Sequence, residues 1–134
     1  MNKLISSSEF ELQCALRVWM SYQYPRVLMR CSMSGVRLSL GLAKKMKRLN
    51  PVRGWPDILI LEPREKYHGL AIELKKSRAD LYTKKGKLKK TQHLKEQAQM
   101  LSCLKERGYF ACFAFGFEET KQEIRRYLEK KLVV

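Results

Sequence analysis

The sequence predicts one α/β domain over residues 1–134, a mixed β-sheet flanked by helices. Three observations carry this. Two apolar runs, Ile58 to Leu61 and Tyr109 to Phe115, read as buried strands. A third stretch, Gly69 to Lys75, alternates as a strand should. Between and around these lie segments whose apolar residues recur at helical spacing.

The elements follow in chain order. Leu12, Ala15, Leu16, Trp19 and Gln23 share one helical face, so 8–23 reads as an amphipathic helix. It is capped by Ser6 with Glu9 or by Ser8 with Glu11, and Pro25 ends it. Val27 to Cys31 reads as a short strand, Ser32 to Gly35 as a loop, Leu38 to Leu49 as a helix and Pro51 to Pro56 as a turn. Asp57 to Leu61 is then a strand, Pro63 to His68 a polar turn and Gly69 to Lys75 the next strand. On the latter, Leu70, Ile72 and Leu74 point one way and Ala71, Glu73 and Lys75 the other. Lys76 to Lys90 reads as a basic loop. A helix over 91–107 buries Leu94, Ala98, Leu101 and Leu104, and Gly108 closes it. After the strand at 109–115, a last helix over 119–131 turns Ile124, Tyr127 and Leu128 inward.

Composition narrows the function. The chain has 134 residues with 45% hydrophobic content, enough for a core without disulfide or metal staples. Its apolar runs fall far short of the roughly 20 residues of a membrane span. The first five residues do not read as a signal peptide, so a reducing cytoplasm is the expected compartment. Cysteines at 14, 31, 103 and 112 form no metal-binding pair. They are expected to be free thiols, three of them in the core.

Lys and Arg number 28 against 13 Asp and Glu, a net charge of +15. Such a surplus calls for a polyanion, and nucleic acid comes first. Lys44, Lys45, Lys47, Arg48 and Arg53 form one cluster. Lys75, Lys76, Arg78, Lys84, Lys85, Lys87, Lys89 and Lys90 form a second, with Asp80 its single acid, and this one reads as a phosphate-tracking surface. In the third, Lys121, Arg125, Arg126, Lys130 and Lys131 alternate with Glu118, Glu119, Glu123 and Glu129, which reads as a solvated helix face. The basic loop has no apolar side opposite its charges, so a membrane surface is not the expected partner.

Charged residues also stand where a core should be apolar. Asp57 opens one strand, and Glu73 and Lys75 share a face of the next. The short turn between these strands implies an antiparallel hairpin. Positions 57 and 73 are equidistant from 65, the middle of the turn, so Asp57 should face Glu73. Opposed Cβ atoms lie about 4.5–5.5 Å apart. Two carboxylates that close repel unless a cation lies between them, and a hard divalent ion, Mg²⁺ or Mn²⁺, suits oxygen ligands. On the pattern alone, a solvated sheet face with Asp57 capping a turn is an equal alternative.

The ordered set Gly54-Trp55-Pro56-Asp57, Glu73-Leu74-Lys75 and a helix with Gln97 resembles the PD-(D/E)XK nucleases, and within them the VRR-NUC family in its small stand-alone, phage-type form. Glu9-Phe10-Glu11-Leu12-Gln13 is similar to that family's first helix, where a Glu precedes a Gln by four. Gly108-Tyr109, eleven residues after Gln97, resembles the start of its last strand. The resemblance implies a restriction-endonuclease-like fold and metal-dependent hydrolysis of DNA. It further implies branched DNA, such as four-way junctions or flaps, as substrate, a homodimer, and the host cytoplasm if the protein is phage-encoded. It implies that Asp57, Glu73 and the Leu74 carbonyl bind the metal, with Glu9, or Glu11 in its place, joining them. Lys75 would position the attacking water, and Gln97 would orient Lys75 or the phosphate, with Gln92 the competing glutamine. DNA would be held by Lys76, Arg78, Lys84, Lys85, Lys87, Lys89, Lys90 and, on the earlier helix, Lys44, Lys45, Lys47 and Arg48. The segment between Glu73 and Gln97 is longer and more basic than in a minimal member. A non-catalytic nucleic-acid binder on the same fold is the reading from a different class. Trp55 reads as a packing residue, and Gly54 as a site where a side chain would hinder the backbone.

Overall fold

A computed structural model of the chain describes residues 8–33 and 36–129. Ser6 as a cap, the stretch before it, the Ser34-Gly35 part of the predicted loop, and Lys130 and Lys131 lie outside the described residues.

Four strands form one sheet in the order β1-β2-β3-β4: Met29–Cys31, Ile58–Ile60, Leu70–Lys75 and Phe110–Phe115. The first three pair antiparallel; β3 and β4 are parallel. A parallel pair needs a long crossover, and helix α3 (Gln92–Glu106) supplies it. Helix α1 (Glu9–Gln23) precedes the sheet, α2 (Leu40–Leu49) lies between β1 and β2, and α4 (Gly116–Leu128) ends the fold.

The pleat sorts β3 between two cores. Leu70, Ile72 and Leu74 face α1 and α4, packing with Leu12, Leu16, Met20, Ile124 and Tyr127. Ala71 faces α3, packing with Leu101, Leu104 and Ala111. Every residue of β3 is buried, Glu73 and Lys75 included. The turn between β2 and β3 is tied to the end of α4: Arg64 Nε donates to the Leu128 carbonyl (2.9 Å), and Tyr127 Oη donates to the Glu62 carbonyl (2.7 Å).

Several expectations need correction. Helix α4 starts at Gly116, three residues before the predicted Glu119, because Gly116 has φ +77° and lets the chain turn from strand into helix at once. On α3 the buried stripe is Leu94, Gln97, Leu101 and Leu104; Gln97 takes the place expected of Ala98, which is only half-buried. No cysteine is fully buried: Cys14 is exposed and Cys31, Cys103 and Cys112 are half-buried, all as free thiols. Cys31 and Cys112 pack against the core from strand positions at its margin, while Cys103 lies on the flank of α3.

The basic segment 76–90 is not a plain loop. A 3-10 turn over Arg78–Asp80 leads into a small hairpin in which Tyr82 bridges Leu88. Thr83 N–H donates to the Lys87 carbonyl (2.7 Å) and Lys89 N–H to the Leu81 carbonyl (2.8 Å). Leu81 is buried, anchoring the base, and Gly86 with φ +78° makes the tip. The apolar spacing of Leu81, Tyr82 and Leu88 carried the signal, but the surrounding lysines masked it.

Candidate metal and nucleic-acid site

The antiparallel ladder pairs Ile58 with Ile72 and Leu59 with Ala71. Continued by one step, this register sets Asp57 opposite Glu73, as the spacing around residue 65 predicts. Both carboxylates therefore leave the sheet on the α3 side, at the end of the hairpin away from its turn. Their exposures are 1% for Asp57 and 2% for Glu73.

The first turn of α1 adds Glu9. One carboxylate oxygen from each of Glu9, Asp57 and Glu73 lies within 4.8 Å of the others. Glu11 does other work. Its side chain accepts from the Ser8 N–H (2.9 Å) while Ser8 Oγ accepts from the Glu11 N–H (3.1 Å), a complete capping box. The box settles which glutamate faces the acidic pair: it is Glu9.

Asp57 is held from three elements. Leu74 N–H donates to Oδ2 at 2.8 Å, and Gln13 Nε2 and Ser32 Oγ each lie 3.4 Å from Oδ1. Leu74 is thus joined to the cluster through its N–H. Lys75 and Gln97, each 5% exposed, form the other half. Lys75 Nζ donates to Gln97 Oε1 (2.8 Å), and Gln97 Nε2 donates to Glu73 Oε2 (2.8 Å). His93, one turn earlier on α3, brings Nε2 within 3.0 Å of Gln97 Nε2, a hydrogen bond when His93 carries its proton on Nδ1. One amide therefore fixes the lysine and the glutamate together. Gln92 stands outside, exposed and facing Glu96.

Burial, then the Asp57 charge, push the Glu73 carboxyl up to about 10. Half-burial, then Asp57, also raises the Glu9 carboxyl. Glu73 Oε1 is buried and accepts no hydrogen bond. A buried acceptor is normally satisfied. Three converging carboxylates with one orphaned oxygen make an all-oxygen donor set that fits a hard divalent cation.

Sequence reasoning named Gln13 only as part of the first-helix pattern and gave Ser32 and His93 no role. Gln13 follows Glu9 by four and His93 precedes Gln97 by four, so same-face spacing was the available signal. Ser32 had none, since its place depends on how β1 lies against β2. Gly54 is as expected: φ is +90°, and a Cβ would stand 2.4 Å from the Glu96 carbonyl oxygen, beside Gln97. Trp55 is 47% exposed and so only partly a packing residue.

The predicted DNA-contacting residues divide. Lys76, Lys84, Lys85, Lys87 and Lys90 are exposed and Lys89 half-buried; on α2, Lys44, Lys45, Lys47 and Arg48 are exposed. Arg78 is engaged with Glu119 (3.1 Å) and stacks on Phe115 (4.4 Å). On α4, Lys121 pairs with Glu118 and Arg126 with Glu123, as the alternating charges predict.

The mixed sheet, its flanking helices and the ordered carboxylates define a restriction-endonuclease-like α/β protein. Among solved structures, one described as a VRR_NUC domain protein matches with a TM-score of 0.66 and 25% identity, over 92% of this chain and 89% of that one. No family model and no curated protein matches the chain. Structural likeness across nearly the full length supports membership of the VRR-NUC family and a nuclease-family fold.

Proposed function

We propose that the protein is a divalent-metal-dependent deoxyribonuclease that hydrolyses phosphodiester bonds, selective for branched DNA such as four-way junctions or flaps. The observation that carries this reading is the Glu9, Asp57 and Glu73 cluster, in which Glu73 Oε1 has no hydrogen bond while Oε2 is joined through the Gln97 amide to Lys75. Glu9, Asp57 and Glu73, with the Leu74 carbonyl, would hold Mg²⁺ or Mn²⁺. When bound, the ion supplies positive charge to the phosphate and acidifies water.

The chain's own groups do the rest. Lys75 presents its ammonium beside the carboxylates, where it donates a hydrogen bond to the attacking water and stabilises the negative charge that develops on its oxygen. Gln97 holds that ammonium at a fixed distance from Glu73, a pre-organisation that costs nothing at the moment of reaction. The water oxygen joins phosphorus and gives up a proton to solvent, the opposite ester bond breaks, and the leaving oxygen takes a proton from solvent. The lysine hairpin and α2 supply cations for phosphates flanking the break.

Labelled junction, flap and plasmid DNA incubated with Mg²⁺, Mn²⁺ or EDTA tests this. Cleavage should require a divalent ion. Asp57→Asn, Glu73→Gln and Lys75→Ala should bind DNA in Ca²⁺ at least as well as wild type and cleave at least a hundredfold more slowly, since catalytic charge groups are worth about that much or more. A folded wild type that cuts no DNA with any divalent ion ends the proposal in favour of the binder. Because a junction carries paired strands and each chain one site, the active species is a homodimer. Sedimentation of a 15.8 kDa monomer with full junction activity removes that element.

A further inference from the structure

Beside the acidic cluster a cavity of about 430 Å³ opens between α2 and the β1–β2 edge of the sheet. This is within the roughly 300–1,000 Å³ of small-ligand sites. Its walls are Trp55, Leu38, Met46 and Pro56, with Arg30 and Asn50 as polar members. Ser32 belongs to both places: it lines the cavity and stands 3.4 Å from Asp57 Oδ1. Trp55 is two residues from Asp57, so a ligand resting on the indole lies next to the carboxylates.

The surroundings define the ligand's chemistry. Helix α2 turns Met46 and Asn50 toward the cavity, and Arg30 of β1 is the cation in its lining. An aromatic wall with an apolar floor accepts a flat ring, and the Arg30 guanidinium accepts an anion attached to it. A nucleobase on its phosphate has both parts. Base–aromatic stacking tolerates any sequence, because every base has a π-face.

We infer that this cleft holds one unstacked nucleobase of a DNA strand whose neighbouring phosphate lies at Asp57 and Glu73. The inference rests on the nuclease reading for its substrate and adds a source of structure selectivity. A paired base must leave its stack to enter, whereas an unpaired base at a branch or flap enters without that cost.

The test uses a hairpin duplex carrying one unpaired nucleotide, which fixes the register, against the same DNA with that nucleotide abasic. Binding is measured by anisotropy in Ca²⁺. Wild type should lose roughly five- to a hundredfold in affinity when the base is absent, the range of one stacked base. Trp55→Ala should bind both DNAs alike, and Trp55→Phe should recover most of the difference. In a Trp19→Phe background, the indole emission should be quenched by the unpaired base and not by the abasic site.

Equal affinity of wild type for the two DNAs overturns the inference, as does a Trp55→Ala variant that still discriminates. The readout needs no cleavage, so a protein that binds the base without cutting fails only the nuclease reading. One that cuts but ignores the base fails only this one.

Discussion

Glu73 has two oxygens with different fates. Oε2 accepts from Gln97, while Oε1 is buried with no hydrogen bond. Burial and the neighbouring Asp57 charge favour its protonated form, raising it from an ordinary 4.5 to about 10. The folded carboxyl therefore keeps its proton at pH values where the unfolded chain has lost it. Stability from this group is complete below pH 4.5 and is lost as pH climbs through about 10. Without divalent ion, the urea-denaturation free energy should fall across that window, by at most about 1.4 kcal/mol per pH unit. Glu73→Gln should flatten the profile; the same slope in both proteins would remove Glu73 as its source. This residue was legible as a strand-face acid with a partner opposite. Its satellite Ser32 was not, since it is defined by a contact across elements, and His93 offered only its four-residue spacing from Gln97.

At the scale of elements, two glycines separate strain from crowding. Gly54 (φ +90°) has the backbone of α3 against it, and Gly86 (φ +78°) has open space. Gly86→Ala should cost about 1–2 kcal/mol, the penalty of a left-handed conformation for a residue with a Cβ. Gly54→Ala adds a collision with the Glu96 carbonyl and should cost clearly more, on the order of 3 kcal/mol or above. It should also lower cleavage, because the turn it displaces carries Gln97. Thermal melts of the two variants give the comparison, and equal losses would mean that α3 yields freely at Gly54. The hairpin register was readable beforehand because a short turn leaves few ways to pair two strands whose apolar faces are known. The pairing of β3 with β4 was not, since no local signal spans a crossover helix. The early start of α4 was missed because acidic residues in a first turn drew the boundary to Glu119, when they fill that turn from Gly116 onward.

For the whole molecule, the net charge of +15 is divided between cations that are spent and cations that are available. Lys121, Arg126 and Arg78 are engaged by glutamates, while the lysines of the hairpin tip are exposed. Replacing Lys84, Lys85, Lys87 and Lys89 by Ala should weaken DNA binding. It should also lower the slope of log K against log salt by roughly 0.9 for each phosphate that is no longer neutralised. Replacing Lys121 and Arg126 should leave the slope unchanged, and the reverse pattern would move the DNA track to α4. The antiparallel arrangement of β2 and β3 has a consequence for how the chain reaches this structure. Its two strands are close in sequence, whereas β4 joins only after a long segment has closed. The hairpin is thus the pairing that forms at least entropic cost, and zipping it brings Asp57 and Glu73 face to face before Lys75 has met Gln97. The acidic pair then acts on the folding pathway as an electrostatic brake, one that a proton or a divalent cation releases.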